Sequence, residues 1–193
     1  MNSLTSEQEN ALLQRVKKND QLAFRTLFDA YYKYLTVTAY RYLNDGEKAK
    51  DIAQDAFVEL WNRRDSLEIT SGLKAYLRRA VVNKCLNYIK REKRIDFSEP
   101  AQLPETSTTH DAVDKLAAAD LQTTVQTAID TLPERCRLIF CMSRYDQKSH
   151  KEIAAELNIS TKTIENQITW ALKTLRAAIA RMGILIAVVF AFF

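Results

Sequence analysis

The sequence predicts an all-α protein: two small helical domains joined by an acidic linker, the C-terminal one containing a helix-turn-helix. Three observations predict it. Gly and Pro number only three each in 193 residues, while aliphatic residues abound. Apolar residues recur at helical spacing on both sides of one aperiodic stretch. Charge falls in blocks: residues 1–95 hold eighteen basic and twelve acidic side chains (+6), residues 96–130 one and seven (−6), and residues 131–193 nine and five (+4). Two basic blocks around an acidic one point to two nucleic-acid-facing units and a linker. The expected boundaries are 1–95, 96–115 for the linker, 116–181, and an apolar tail over 182–193.

A first amphipathic helix runs from Leu4 to Lys18, with Ser6 and Glu9 as a capping box and Leu12, Leu13 and Val16 as its stripe. The next begins near Asp20. Phe24, Leu27, Phe28, Tyr31, Leu35 and Tyr42 are spaced for burial, and an aromatic stripe of this kind is core. Asn44-Asp45-Gly46 is a turn, with Asn44 and Glu47 able to cap the following helix, Glu47 to Arg64. Ile52, Ala53, Ala56, Phe57, Leu60 and Trp61 form its inner side. Asp51, Gln54, Asp55 and Glu59 stay outside, as a solvated acidic face on charge alone.

After a short loop, Ser66 to Gly72, a helix from Leu73 to about Arg94 is dense in Lys and Arg, opposed only by Glu92. Lys74, Arg79 and Arg91 are interleaved with Tyr76, Asn83, Asn87 and Tyr88. Basic residues mixed with aromatic and amide groups suit a nucleic-acid backbone and unstacked bases. Periodicity vanishes from Asp96 to about Asp114, where Pro100, Pro104 and the Thr/Ser run are linker chemistry. Helical spacing resumes with Val113, Leu116, Leu121, Val125 and Ile129. Thr131 then caps a helix that carries Pro133 in its first turn and buries Leu138, Ile139, Phe140 and Met142.

The stretch Ser149–Arg176 organises the C-terminal half. Ser149 and Glu152 form a capping box, and Ile153, Ala154 and Leu157 one apolar stripe. Asn158-Ile159-Ser160 is the corner: Asn tolerates the left-handed conformation, and Ser160 is a good N-cap. In the second helix Ile164, Ile168, Ala171, Leu172 and Leu175 form the buried face. The opposite face carries Lys162, Asn166, Thr169 and Lys173, flanked by Thr163, Glu165 and Trp170. A major groove admits such a helix, amide and hydroxyl groups read base edges, and Lys and Thr near its start suit phosphates.

Three cysteines, an odd number, argue against a disulfide framework, and Cys85, Cys136 and Cys141 read as core thiols. There is no metal-ligand cluster, phosphate-binding Gly loop or nucleophile–base pair, so no metal, no cofactor, no small-molecule substrate and no enzymatic activity are expected. No signal peptide opens the chain, which places it in the cytoplasm. The tail, Gly183–Phe193, is wholly apolar. As a helix it would be about 17 Å long, against roughly 30 Å of hydrocarbon; it is expected to contact a partner or a membrane surface rather than span one.

These residues together resemble the extracytoplasmic-function (group IV) sigma factors of the sigma-70 family. Asp51-Ile52-Ala53-Gln54-Asp55-Ala56-Phe57 with Leu60-Trp61 is similar to the family's core-polymerase-binding helix. Ala75-Tyr76-Leu77 through Asn83 to Arg91 is similar to its helix for the −10 element. Leu132-Pro133-Glu134, Glu152-Ile153-Ala154 and Ile159-Ser160 with Thr163-Ile164 resemble its −35 domain. The resemblance implies a transcription initiation factor that binds core RNA polymerase, recognises −10 and −35 promoter DNA and helps to open it, and is held by an anti-sigma factor. It implies core-polymerase contacts at Asp51, Gln54, Asp55, Glu59 and Trp61. It implies −10 contacts at Lys74, Tyr76, Arg79, Asn83, Asn87 and Arg91, with a loop at about Leu67–Leu73 pocketing a flipped base. It implies −35 contacts at Lys162, Thr163, Glu165, Asn166, Thr169 and Trp170. The base-facing positions lack the Arg that often reads guanine, so no −35 sequence transfers. The rival reading is a LuxR-type helix-turn-helix regulator that never joins polymerase. It predicts an α/β sensor domain, and residues 1–95 show no strand alternation.

Overall fold

The computed structural model describes residues 4–69, 72–92 and 121–181. Regular structure among them is helical throughout, and the chain divides into two units, Met1–Arg94 and Ile95–Phe193. The aperiodic linker, Thr70, Ser71 and the apolar tail lie outside the described residues.

The first unit holds α1 (Ser6–Lys17), α2 (Gln21–Leu43), α3 (Gly46–Asn62), a 3-10 turn at Arg64–Ser66, and α4 (Leu73–Glu92). The capping box of α1 sits one residue earlier than expected. Thr5 Oγ1 accepts the Gln8 N–H at 3.3 Å, and Gln8 Oε1 accepts the Thr5 N–H at 2.9 Å. Thr5/Gln8 and Ser6/Glu9 both fit the capping pattern. Tertiary packing chooses between them, because Glu9 is buried.

At the start of α2, Asp20 Oδ1 accepts the N–H groups of Leu22 (2.9 Å) and Ala23 (3.0 Å), and Oδ2 meets Arg15 at 2.8 Å. The Ala23 N–H and then Arg15 hold its carboxyl below the usual range. Asn44 does not cap α3. It ends α2 in the left-handed conformation, φ 52°, and Asp45 accepts the Lys48 N–H at 3.0 Å instead. Left-handed geometry suits Asn, so the turn spends it there.

Leu27, Leu35 and Tyr42 of α2, Ile52, Phe57 and Leu60 of α3, and Leu77, Val81 and Ile89 of α4 make the core. Phe24 and Phe28 are half-buried and complete an aromatic layer. Phe57 lies edge-on to Phe24 with ring centroids 6.1 Å apart, and 4.8 Å from Phe28.

The second unit holds α5 (Leu121–Asp130), α6 (Glu134–Arg144), α7 (His150–Leu157) and α8 (Thr161–Arg181). Thr131 closes α5 rather than capping α6: its hydroxyl donates to the Ala128 carbonyl at 2.7 Å, while Pro133 is the N-cap residue of α6. The buried Arg137 guanidinium reaches back from α6 and donates to the carbonyls of Leu132 (3.2 Å) and Asp130 (3.4 Å), which need donor partners at the end of α5. The corner of the helix-turn-helix follows its sequence. Ser149 and Glu152 form the capping box, Asn158 has φ 56°, and Ser160 Oγ accepts the Thr163 N–H at 3.0 Å.

The buried line of α8 is rotated from the expected one. Ile164, Gln167, Ala171 and Leu175 are buried, whereas Ile168 and Leu172 are only half-buried. The reason lies in α6: the Cys136 thiol donates to the Gln167 carbonyl at 3.3 Å, and small Cys136 and Ala171 let the two helices approach on that side. Phe140, Ile168 and Leu172 consequently line an open groove with Ser143, Arg144 and Gln147.

Burial pushes the Cys136 thiol up to about 12. At pH 8 its thiolate fraction should fall roughly a thousandfold below that of an ordinary cysteine, and alkylation by iodoacetamide with it. The stability owed to the neutral thiol is complete below about pH 9 and is lost as pH rises towards 12. Mass spectrometry of labelled folded and urea-unfolded chain checks this; equal labelling of Cys136 in both would contradict it.

Candidate nucleic-acid and protein interfaces

Three helix faces carry the residues of interest, two in the first unit and one in the second. On α4, Arg79, Asn83, Asn87 and Arg91 recur every four residues and all are exposed, so they form one line along the outside of the helix. Two guanidinium groups bracket two amides on this line. Tyr76 is half-buried one turn before Arg79. Lys74, though exposed, turns towards α2, its ammonium 4.9 Å from the centroid of Tyr34. The half-buried Tyr88 carries the Lys48 ammonium 4.8 Å from its centroid.

Ahead of α4, Leu67 is buried and Gly72 has φ +79°, the left-handed region that a β-carbon disfavours. That glycine turns the loop into the helix.

On α3 the structure divides the expected acidic face in two. Asp51, Gln54 and Asp55 are exposed in one line, and Val58, 55% exposed, continues it one turn further. Glu59 stands off the line. It bridges to Lys84 of α4 at 3.1 Å and Arg63 at 3.2 Å, and the Lys84 ammonium holds its carboxyl below the usual range. Such a partly exposed pair contributes at most about 1 kcal/mol; it links α3 to α4 within the unit. Trp61 is likewise engaged, half-buried against Phe24 at 5.0 Å with the Arg64 guanidinium 4.7 Å from its ring. Sequence reasoning missed Val58, whose signal was an aliphatic residue placed outside the inner stripe.

On α8, Lys162, Glu165, Asn166, Thr169 and Lys173 are exposed together on one face. Lys162 and Glu165 pair at 3.6 Å, so the charge at the start of the helix is partly internal. Thr163 is half-buried with its hydroxyl 2.9 Å from Ser160 Oγ, inside the cap. Trp170 is half-buried and packs against the cluster of Ala128, Ile129, Leu132, Cys136 and Phe140. Its ring is thus largely a wall of the domain, at the edge of the polar face.

Among the described residues no group of three or more His, Cys, Asp or Glu side chains is placed to hold a metal ion. No described helix is long and apolar enough to cross a membrane. The surface chemistry is that of polar and charged helix faces.

Comparison with known proteins matches these same helices. The family description "Sigma-70 region 2" matches residues 27–95, which take in α2 from Leu27, α3 and α4, and "Sigma-70, region 4" matches residues 122–175, spanning α5 to α8. The chain is 29% identical over 174 residues to the ECF RNA polymerase sigma factor SigW of Bacillus subtilis, covering 85% of this chain and 92% of that one. It is 28% identical over 172 residues to the ECF RNA polymerase sigma-E factor of Escherichia coli K12, covering 83% and 88%. It is 25% identical over 174 residues to the RNA polymerase sigma-H factor of Pseudomonas aeruginosa, covering 86% and 90%.

Proposed function

This chain belongs to the extracytoplasmic-function group of the sigma-70 family, and on that premise we propose which of its helix faces meet polymerase and which meet promoter DNA. It is a transcription initiation factor that directs RNA polymerase to promoters. A free-standing helix-turn-helix regulator is disfavoured, because the similarity extends through region 2 as well as region 4.

The reading assigns the Asp51–Gln54–Asp55–Val58 line of α3 to core RNA polymerase, with Glu59 and Trp61 setting its backdrop. The Arg79–Asn83–Asn87–Arg91 line of α4, with Lys74 and Tyr76 beside it, takes the −10 element, and the 67–73 loop receives a flipped base. The exposed face of α8 takes the −35 element: Asn166, Thr169 and Glu165 towards bases, Lys162 and Thr163 towards phosphates, and Trp170 at the edge. The domains are then 1–95 and 116–181, joined by the acidic linker 96–115. The protein works in the cytoplasm, does no covalent chemistry, and is held inactive by an anti-sigma factor. The tail, 182–193, contacts a partner or a membrane surface.

The single observation that carries the residue assignments is the i, i+4 line of exposed guanidinium and amide groups on α4. Guanidinium groups there neutralise phosphates while amides meet unstacked bases. Binding of the purified chain to core RNA polymerase tests the whole reading: a folded chain, free of any partner, that does not bind would refute it.

On the −35 side, Asn166→Ala is expected to lower discrimination at one or two base pairs by about 1–3 kcal/mol per lost contact. Promoter selection from a randomised duplex library with the polymerase-bound chain, followed by competition with single-base variants, measures it. Equal weakening on every sequence would make Asn166 a backbone contact.

A further inference from the structure

We propose that Lys48 belongs to the DNA surface of the first unit: an ammonium carried on α3 that meets a backbone phosphate of the −10 region beside the last turns of α4. This rests on the reading that α4 handles that DNA, and it extends the contact surface onto a helix otherwise assigned to polymerase.

Lys48 stands in the first turn of α3, half-buried, and its ammonium lies 4.8 Å from the centroid of the Tyr88 ring on α4. Tyr88 follows Asn87 directly and is an i, i+3 neighbour of Arg91. Asn87 and Arg91 are the last two members of the exposed line on α4. The tyrosine therefore seats a charge from one helix beside the amide and guanidinium groups of another. The start of α4 has the same arrangement, with the Lys74 ammonium 4.9 Å from the centroid of Tyr34 on α2. A lysine on a tyrosine thus stands at each end of the line. Spacing along α4 picks out Lys74, but no local pattern gives Lys48, whose place depends on how α3 packs on α4.

What Lys48 rests on separates it from the lysines around it. Lys50 is paired with Glu47 at 2.6 Å, and Lys84 of α4 with Glu59 at 3.1 Å. An ammonium held by a carboxylate has its charge offset and must leave that partner to meet a phosphate. An aromatic face attracts a cation through the ring quadrupole without cancelling its charge, and an ammonium carries three donors. The ring so orients the lysine stem and leaves the charge for another acceptor. The nearest acidic residues in the chain are already engaged: Asp45 accepts the Lys48 backbone N–H at 3.0 Å, and Glu47 holds Lys50. Phosphate is the acceptor that fits, because a strand that runs along Asn83, Asn87 and Arg91 is a polyanion, and its backbone continues onto the neighbouring cation.

The test uses full chain assembled with core RNA polymerase. The probe is a duplex with a single-stranded −10 region, taken from a promoter that the wild-type assembly selects from a randomised library, and titrated at a series of salt concentrations. Lys48→Met keeps a flexible stem over Tyr88 and removes the charge. Its plot of log affinity against log salt is expected to be shallower by about 0.7–0.9, the loss of one phosphate contact, with affinity about three- to tenfold lower at low salt. Base preferences in a repeated selection should match wild type, since a phosphate contact carries no sequence information. Core-polymerase affinity should be unchanged, and Lys50→Met should bind the probe within about twofold of wild type. If Lys48→Met and Lys50→Met flatten the slope equally, net charge alone is at work and the inference is overturned. It is overturned too if Lys48→Met weakens binding to core polymerase, or lowers only the melting temperature, which would make the pair a clamp between α3 and α4. If Lys48→Met leaves the slope unchanged while Arg91→Gln flattens it, the inference fails and the assignment of α4 stands. If neither variant changes the slope, the assignment of α4 fails, and the inference with it.

Discussion

Asp55→Arg is expected to weaken binding to core RNA polymerase at least about a hundredfold while the chain stays folded. Asp55 is exposed in the middle of the α3 line, between Asp51 and Gln54 on one side and Val58 on the other. A position at the centre of a patch loses most when changed, and putting like charge against a surface selected for the opposite sign costs several kcal/mol. Nothing in the core depends on it, since the inner side of α3 is formed by Ile52, Ala53, Ala56, Phe57 and Leu60. Titration of labelled chain against core polymerase at two salt concentrations, with circular dichroism alongside, measures both effects. A change of less than threefold in affinity would remove this face from the interface. An unfolded variant would show that the site is structural. Glu59→Arg makes an informative companion, because it breaks the bridge to Lys84 and should act more on the seating of α3 against α4 than on the partner.

Phe57→Ala, two residues away on the opposite side of the same helix, is expected to destabilise the first unit by about 3–5 kcal/mol. Phe57 is 1% exposed and meets both Phe24 and Phe28, so its removal leaves a cavity and two aromatic contacts unmade. That is a large fraction of the stability of a small domain. The two tryptophans, Trp61 and Trp170, fall one in each unit. With Trp170→Phe as background, urea unfolding followed by fluorescence therefore reports on the first unit alone. A loss below about 1 kcal/mol would mean that the aromatic layer closes up without the ring. Together the two substitutions separate what α3 does for the fold from what it does for its partner.

Much of this was legible in the chain itself. The period of apolar residues located every described helix, because burial of one face is what makes a short helix stable. Asn158 and Ser160 marked the corner of the helix-turn-helix through their own backbone preferences. The spacing of Arg79, Asn83, Asn87 and Arg91 already put them on one face. Where local rules offered two equal answers, the sequence did not choose. Thr5 and Ser6 are equivalent cap candidates, as are Asn44 and Asp45. Ile168 and Gln167 differ by one position on α8, and a period of 3.6 residues does not separate them until α6 is packed alongside.

The sequence by itself determined the helices, their polar faces and the family, since each depends on side chains at fixed spacing along one continuous segment. Only the tertiary structure decided which of the polar and aromatic side chains also have partners within the chain. Glu59 bridges to Lys84, the Thr163 hydroxyl meets Ser160, Trp170 packs against the core, and Glu9 accepts from a helix start 64 residues away. Those choices are made by contacts between segments, where the cost of burying a polar group selects the one arrangement that gives it a partner.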